Sequence, residues 1–210
     1  MDKINYQKKL DLFIDRLVAT GTTPKLMLHS CCAPCSSYCI EYLSQYFEIT
    51  VFYYNPNIYP DEEYWLRVKE QQRFIENFPT KNKVSFIEGD YDKQCFYDMA
   101  KGLENVPERG ERCHKCYELR LRKTAEIAKK EQCDYFATTL TISPQKDSSV
   151  LNAIGERIAN DLGNSVKYLA TDFKKKSGYL RSCEISKEYD MYRQDYCGCV
   201  FSYNERMRDK

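Results

Sequence analysis

The feature that most restricts the fold of this chain is an alternation of two hydrophobic periods. Apolar, β-rich runs at Lys25–Ser30, Ile49–Asn55, Val84–Glu88, Tyr135–Ile142 and Val166–Ala170 are separated by segments of helical periodicity. The spacing predicts helices over Ile4–Thr20, Ser36–Tyr46, Asp61–Phe78, Arg112–Gln132 and Ser148–Leu162. Strand-helix-strand order of this kind predicts an α/β fold, a mostly parallel five-stranded sheet with helices on both faces. Gly21, Asn55-Pro56-Asn57, Pro60 and Lys146-Asp147-Ser148 punctuate the elements. Ligands of such sheets bind beyond the carboxyl ends of the strands. That rim gathers the chain after the first strand, Asn55-Pro56-Asn57, Gly89-Asp90 and Thr141–Pro144.

At 210 residues one sizeable core suffices, so 1–210 reads as a single α/β domain. Residues 1–23 read as an N-terminal helical extension and 173–201 as a C-terminal segment. The net charge of +1 points to no particular class of partner. Neither a signal peptide nor an apolar stretch of membrane-spanning length is evident, which predicts a cytoplasmic protein. In a reducing compartment, eleven cysteines speak for metal binding or redox chemistry before disulfide bridging.

Seven of those cysteines fall into three clusters. His29-Ser30-Cys31-Cys32-Ala33-Pro34-Cys35 places three directly after an apolar strand. Neighbouring strand residues point to opposite faces, so packing alone does not account for Cys31 and Cys32. Cys113 and Cys116 stand at i and i+3 on a helix start, where the dipole favours thiolates, and Cys197 and Cys199 form a C-x-C pair. Cys39, Cys95, Cys133 and Cys183 are solitary and read as packing residues. Cys113/Cys116 with Cys197/Cys199 is a possible all-thiolate zinc set, which leaves Cys31, Cys32 and Cys35 without a role. An iron–sulfur cluster takes four thiolates and leaves thiols for a second metal or a redox pair. PP-loop nucleotide enzymes carry a Gly-rich phosphate loop at the same place, but here the glycines are missing and thiols stand instead.

Five motifs stand in order along the chain: His29–Cys35, Asn55-Pro56-Asn57-Ile58, Arg112-Cys113-x-x-Cys116, Phe173-Lys174-Lys175 and Tyr192-Arg193-Gln194-x-Tyr196-Cys197-Gly198-Cys199. Together they resemble the QueH family of epoxyqueuosine reductases. The resemblance spans roughly residues 24 to 201 and implies a nucleotide α-hydrolase layout of the HUP or PP-loop kind. It also implies a cytosolic metalloreductase that converts epoxyqueuosine in tRNA to queuosine, with a 4Fe-4S cluster and room for a second, mononuclear iron. Carried over by position, Cys31, Cys32, Cys113 and Cys116 become the leading cluster ligands, with Cys197 and Cys199 a redox pair or ligands of the second iron. Cys35 is an alternative ligand that displaces one of the four.

Removing an epoxide oxygen needs two electrons, two protons and stabilisation of the leaving oxygen; a cluster supplies electrons singly, and a second centre completes the reduction. Asp195, Tyr192, Tyr196 and His29 are candidate proton donors, although tyrosines commonly pack and a histidine ending a buried strand is as often structural. For tRNA phosphates the candidates are Lys174, Lys175, Lys176, Arg109, Arg112, Arg120, Arg122, Arg181 and Arg193. Asn55 and Asn57 read either as substrate-orienting amides or as turn chemistry. An unidentified electron donor is implied and no membrane. Two rival classes remain: a zinc-stabilised nucleic-acid-binding module, and a thiol-dependent sulfur-transfer or redox enzyme using Cys197/Cys199.

Overall fold

The computed structural model describes residues 4–208, so residues 1–3 of the expected extension and residues 209–210 lie outside the described residues. Strands β1 (Lys25–His29), β2 (Glu48–Tyr53), β3 (Val84–Glu88), β4 (Tyr135–Thr138) and β5 (Lys167–Tyr168) form one sheet in the order β3-β2-β1-β4-β5. Every pairing is parallel, as the alternation predicts. The helices are α1 (Tyr6–Thr20), α2 (Ala33–Leu43), α3 (Asp61–Asn77), α4 (Lys93–Ala100), α5 (Glu111–Lys130), α6 (Ser148–Asp161), α7 (Gly178–Glu188) and α8 (Val200–Arg208). None of them is long and apolar enough to cross a membrane.

Period-two alternation sorts the strand side chains onto two buried faces. Leu26, Leu28, Ile49 and Val51 meet Leu10, Ile14 and Leu17 of α1, Ile40 and Leu43 of α2 and Ile185 of α7. Met27, Phe52 and Phe136 point the other way, against Leu121, Ala125 and Ala128 of α5 and Leu151 and Ile158 of α6. Each fully buried aliphatic side chain contributes about 1.5–3 kcal/mol, so both helix layers are strongly held. Helix α1 is therefore built into the main core, although its residues belong to the expected extension.

Several boundaries differ from the sequence expectation, each for a local reason. Helix α1 begins at Tyr6 because the Asn5 side chain accepts from Lys8 N at 3.0 Å. Helix α2 begins three residues early, at Ala33, with Pro34 in its first turn. The run Tyr135–Ile142 is strand only to Thr138, whose hydroxyl accepts from Leu140 N and turns the chain into a 3-10 turn over Thr139–Ile142. Val166–Ala170 pairs only at Lys167 and Tyr168, on the sheet edge. Helices α4, α7 and α8 carry no expectation from periodicity.

Strand β1 lies centrally, where the order runs out to β2 and β3 on one side and to β4 and β5 on the other. Such a switch point opens a crevice beyond the carboxyl ends. His29 closes its floor: the ring is fully buried, with Nδ1 3.0 Å from Thr138 Oγ1 and Nε2 3.2 Å from the Tyr54 carbonyl. A carbonyl only accepts, so Nε2 carries the proton and Nδ1 accepts from the threonine. Burial, with the Arg120 charge, pushes the His29 pKa down to about 3. The unfolded chain protonates His29 near its ordinary pKa of 6.5, whereas the folded one resists down to about 3, so this residue subtracts stability as pH falls through that window. Between pH 7.5 and 5 the loss is about 2 kcal/mol. Denaturant unfolding at the two pH values is expected to show that loss in the parent chain and not in His29→Gln; an equal loss in both would assign the pH dependence elsewhere.

Candidate metal centre

The crevice is lined with sulfur. Cys31, Cys32 and Cys35 bring their sulfur atoms within 4.8 Å of one another, with Cys31 and Cys32 Sγ 3.9 Å apart. No other group of three His, Cys, Asp or Glu side chains among the described residues is gathered as tightly. The two adjacent cysteines converge because the chain has left β1 at Ser30 and is turning into α2. Cys32 is the N-cap residue of that helix, extended and making no side-chain cap bond, so its sulfur is free to face the group. Ser30 fixes the turn: its N–H donates to Phe52 O, its carbonyl accepts from Asn55 Nδ2 at 2.8 Å, and its hydroxyl donates to Gln71 Oε1 at 2.6 Å.

Cys113 and Cys116 sit on the first turns of α5, and electrostatics couple both to Cys197 and Cys199. Cys113 and Cys31 pack against the same buried cluster, and Cys31, Cys35 and Cys197 line one cavity of about 510 Å³. All seven are free thiols. The clusters thus converge on one rim, but Cys113 and Cys116 keep company with the C-x-C pair and lie outside the tight group. Of the solitary cysteines, Cys39 and Cys133 are buried, while Cys95 and Cys183 are half-buried.

The thiols divide electrostatically. Hydrogen bonds from Cys31 and Cys35, helped by the Arg67 charge and the Gln194 amide, hold the Cys32 thiol well below the ordinary range. Burial pushes Cys116 up to about 12 and raises Cys113 and Cys199 as well. Neutral thiols buried in this way release their protons when a cation replaces them.

Around the sulfur stand three cations: Arg67 and Lys146, whose charge the sequence does not mark, and Arg120, expected at tRNA phosphates but buried here. Arg67 of α3 is 1 % exposed and bonds Glu63 at 2.7 Å. Arg120 of α5 is buried, donates to Cys116 O at 3.2 Å and Asn55 Oδ1 at 3.3 Å, and has no carboxylate partner among the described residues. Lys146 lines the cavity. Gln194 donates to Cys32 Sγ at 3.1 Å. Arg67 Nη2, Gln71 Nε2 and Tyr53 Oη are buried donors with no acceptor, and each borders the Cys31/Cys32 turn.

Other expected site residues are placed as follows. Asn55 is buried with both ends of its amide bonded to protein, and Asn57 is buried with an unbonded carbonyl oxygen. Tyr192 donates to Glu63 at 2.9 Å and lies off the cavity; burial and that carboxylate push its phenol up to about 12. Tyr196 donates to the Tyr59 carbonyl, with the Arg67 guanidinium 5.4 Å from its ring centre. Asp195 lines the cavity and accepts from Arg206 at 3.0 Å. Lys174 bonds Thr141 O and pairs with Asp172, and Lys176 pairs with Asp11. Arg112, Arg122 and Arg181 are likewise bonded inside the protein. Lys175 and Arg109 line an adjoining cavity, and Arg193, which bonds Ser186, lines the sulfur-bearing one.

Gly198 couples the C-x-C pair to this frame. Its φ of 121° lies where side chains are disfavoured, its carbonyl accepts from Tyr59 N at 2.8 Å, and an added Cβ would meet Arg67 Nη1 at 3.0 Å. Gly198→Ala is expected to lower stability by about 1–3 kcal/mol in chemical denaturation. An unchanged midpoint would show the loop free of both constraints.

A family model described as Epoxyqueuosine reductase QueH matches residues 26–205. Among curated relatives, Epoxyqueuosine reductase QueH of Staphylococcus epidermidis is 45 % identical over 204 residues, covering 95 % of this chain and 85 % of the relative. Those of Streptococcus pyogenes and Haemophilus influenzae are 44 % and 43 % identical, covering 95 % and 86 % of this chain and 78 % and 72 % of the relatives.

Proposed function

The chain belongs to the QueH family of epoxyqueuosine reductases, and on that premise we propose that its sulfur-lined crevice reduces epoxyqueuosine in tRNA to queuosine at an iron–sulfur group. The observation that carries this reading is the excess of thiols and buried donors at one rim: seven cysteines, with Arg67 Nη2, Gln71 Nε2 and Tyr53 Oη lacking acceptors. A single zinc ion uses four thiolates and brings no acceptor for those donors. The sulfides of a 4Fe-4S cluster accept hydrogen bonds, and such bonds tune its potential. The donor set therefore fits the cluster, with Cys31, Cys32, Cys113 and Cys116 as its proposed ligands. Cys197 and Cys199 would serve a second, mononuclear iron or act as a redox pair, and Cys35 is the alternative that would displace one of the four cluster ligands.

When bound, the cluster supplies electrons one at a time at low potential, passed on from a donor yet to be identified. The residues of this chain hold the frame around it. Gln194 and Arg67 fix the charge on Cys32, while Arg120 ties the first turns of α5 to the strand-end turn through Asn55. The cavity of about 510 Å³ receives the modified base, splayed out of its anticodon loop, with Asp195 and Arg193 at its wall. Phosphates of that loop would lie along Lys175 and Arg109 beside the mouth, since Lys174 is bonded to Thr141 O and Asp172. A tRNA substrate assigns the reaction to the cytoplasm.

Protein produced anaerobically with iron is expected to contain iron and acid-labile sulfide, and to convert epoxyqueuosine in tRNA to queuosine under reducing conditions. Zinc without sulfide, or no queuosine from iron-loaded protein, would overturn the assignment. Serine at Cys31, Cys32, Cys113 or Cys116 is expected to abolish sulfide retention, whereas alanine at Cys133, remote from the rim, leaves it intact. For tRNA, Lys175→Gln is expected to weaken binding about two- to fivefold and to lower the salt slope by about 1. Lys176→Gln, whose partner is Asp11, is expected to leave both nearly unchanged.

A further inference from the structure

Lys146 is fixed in backbone and unpartnered in side chain. It follows the 3-10 turn at the end of β4, its N–H donates to Ser143 O at 3.1 Å, and its carbonyl accepts from Lys174 Nζ at 3.3 Å. The next residue, Asp147, caps α6 by accepting from Ser149 N at 2.7 Å. Nothing is left loose in that main chain. The ammonium, in contrast, has no hydrogen bond and no ion pair among the described residues, although the side chain is half-buried. It lines the cavity that holds Cys31, Cys35 and Cys197, and also the adjoining one with Arg109 and Lys175. The thiols of Cys197, Cys31 and Cys35 and the phenol of Tyr117 are the groups whose fields it feels. Arg67 and Arg120 differ from it in this respect, because both are tied to protein acceptors.

An ammonium kept without a carboxylate beside a sulfur wall is suited to an oxygen that becomes negative during reaction. In epoxide deoxygenation two C–O bonds break and one C=C π bond forms; two electrons enter from the reductant, and the oxygen leaves as water after taking two protons from solvent. Resting on the function proposed above, we propose that Lys146 is a catalytic residue of that reaction, donating a hydrogen bond to the epoxide oxygen and stabilising the charge that builds on it as the first C–O bond breaks. Lys146 keeps its own proton throughout. Its three donors and its short reach from a pinned loop allow it to follow the oxygen from bridging to departing position. Preorganised donors of this kind contribute more to the transition state than to the bound substrate.

The test compares the parent protein, Lys146→Met and Lys146→Arg, all iron-loaded, in single turnover with tRNA carrying epoxyqueuosine. Lys146→Met is expected to convert about 10²–10³-fold more slowly, with tRNA affinity, iron and sulfide content and visible spectrum unchanged; Lys146→Arg recovers part of the rate. A Lys146→Met rate within threefold of the parent overturns the inference alone. So does a slow variant whose loss follows its iron content, or is restored by saturating tRNA, since Lys146 then holds the cofactor or a phosphate instead. A parent protein that makes no queuosine overturns the functional reading and takes this inference with it.

Discussion

The buried guanidinium of Arg120 is the constraint on which the rest of the site depends. A buried charge is costly unless it is paired, and Arg120 has no carboxylate partner among the described residues. Its compensation comes from the Cys116 carbonyl and the Asn55 amide, and any thiolate formed at Cys116, Cys197 or Cys31 would add to it. Those same contacts join α5, the end of β2 and, through Asn55 to the Ser30 carbonyl, the turn bearing Cys31. One cation therefore fixes the distance between two sulfur groups that are about eighty residues apart in the chain.

The backbone beneath follows the same logic. A parallel sheet with a switch point at β1 presents a helix N-terminus at Cys32, where nucleotide enzymes of similar layout seat a phosphate. Glycine is replaced here by Cys-Cys-Ala-Pro, so the backbone cannot wrap a phosphate, and the partial positive charge of α2 falls on a thiol. With Arg67 behind it and Gln194 above it, Cys32 is the sulfur most readily ionised, while Cys113, Cys116 and Cys199 are held as neutral thiols by burial.

The parallel sheet and the three cysteine clusters were legible because periodicity and ligand spacing are local properties of a sequence. Tyr135–Ile142 reads as one strand since Phe136, Ala137, Leu140 and Ile142 are all buried; only the Thr138 hydroxyl, capping Leu140, converts its second half into a 3-10 turn. Helix α7 escaped notice because Tyr179 and Leu180 remain exposed and blur its amphipathic face, and because it starts after Lys176 and Ser177 in left-handed conformations. Arg67 and Lys146 were opaque for a different reason. Arg67 reads as an ordinary charge on a solvated helix, and its burial beneath Gly198 exists only once α3 and the C-x-C loop have met. Lysines in a run attracted the phosphate reading, yet Lys174 and Lys176 prove to be bonded internally, whereas the lone Lys146 is the one facing the cavity.

Chemical sulfur and packing sulfur are therefore distinguished by what surrounds them rather than by burial. Cys39 and Cys133 are as buried as Cys32 and Cys116, and burial raises their thiols in the same direction as that of Cys116. Around Cys39 the neighbours are apolar side chains of α2 and the sheet, and its thiol donates to the Cys35 carbonyl. Nothing there would stabilise a thiolate, so the sulfur stays protonated and inert. At the rim, Arg67, Arg120 and Lys146 offer positive charge opposed among them by one directly bonded carboxylate, Glu63. That imbalance makes the rim favourable for anionic sulfur, as the lowered Cys32 thiol shows.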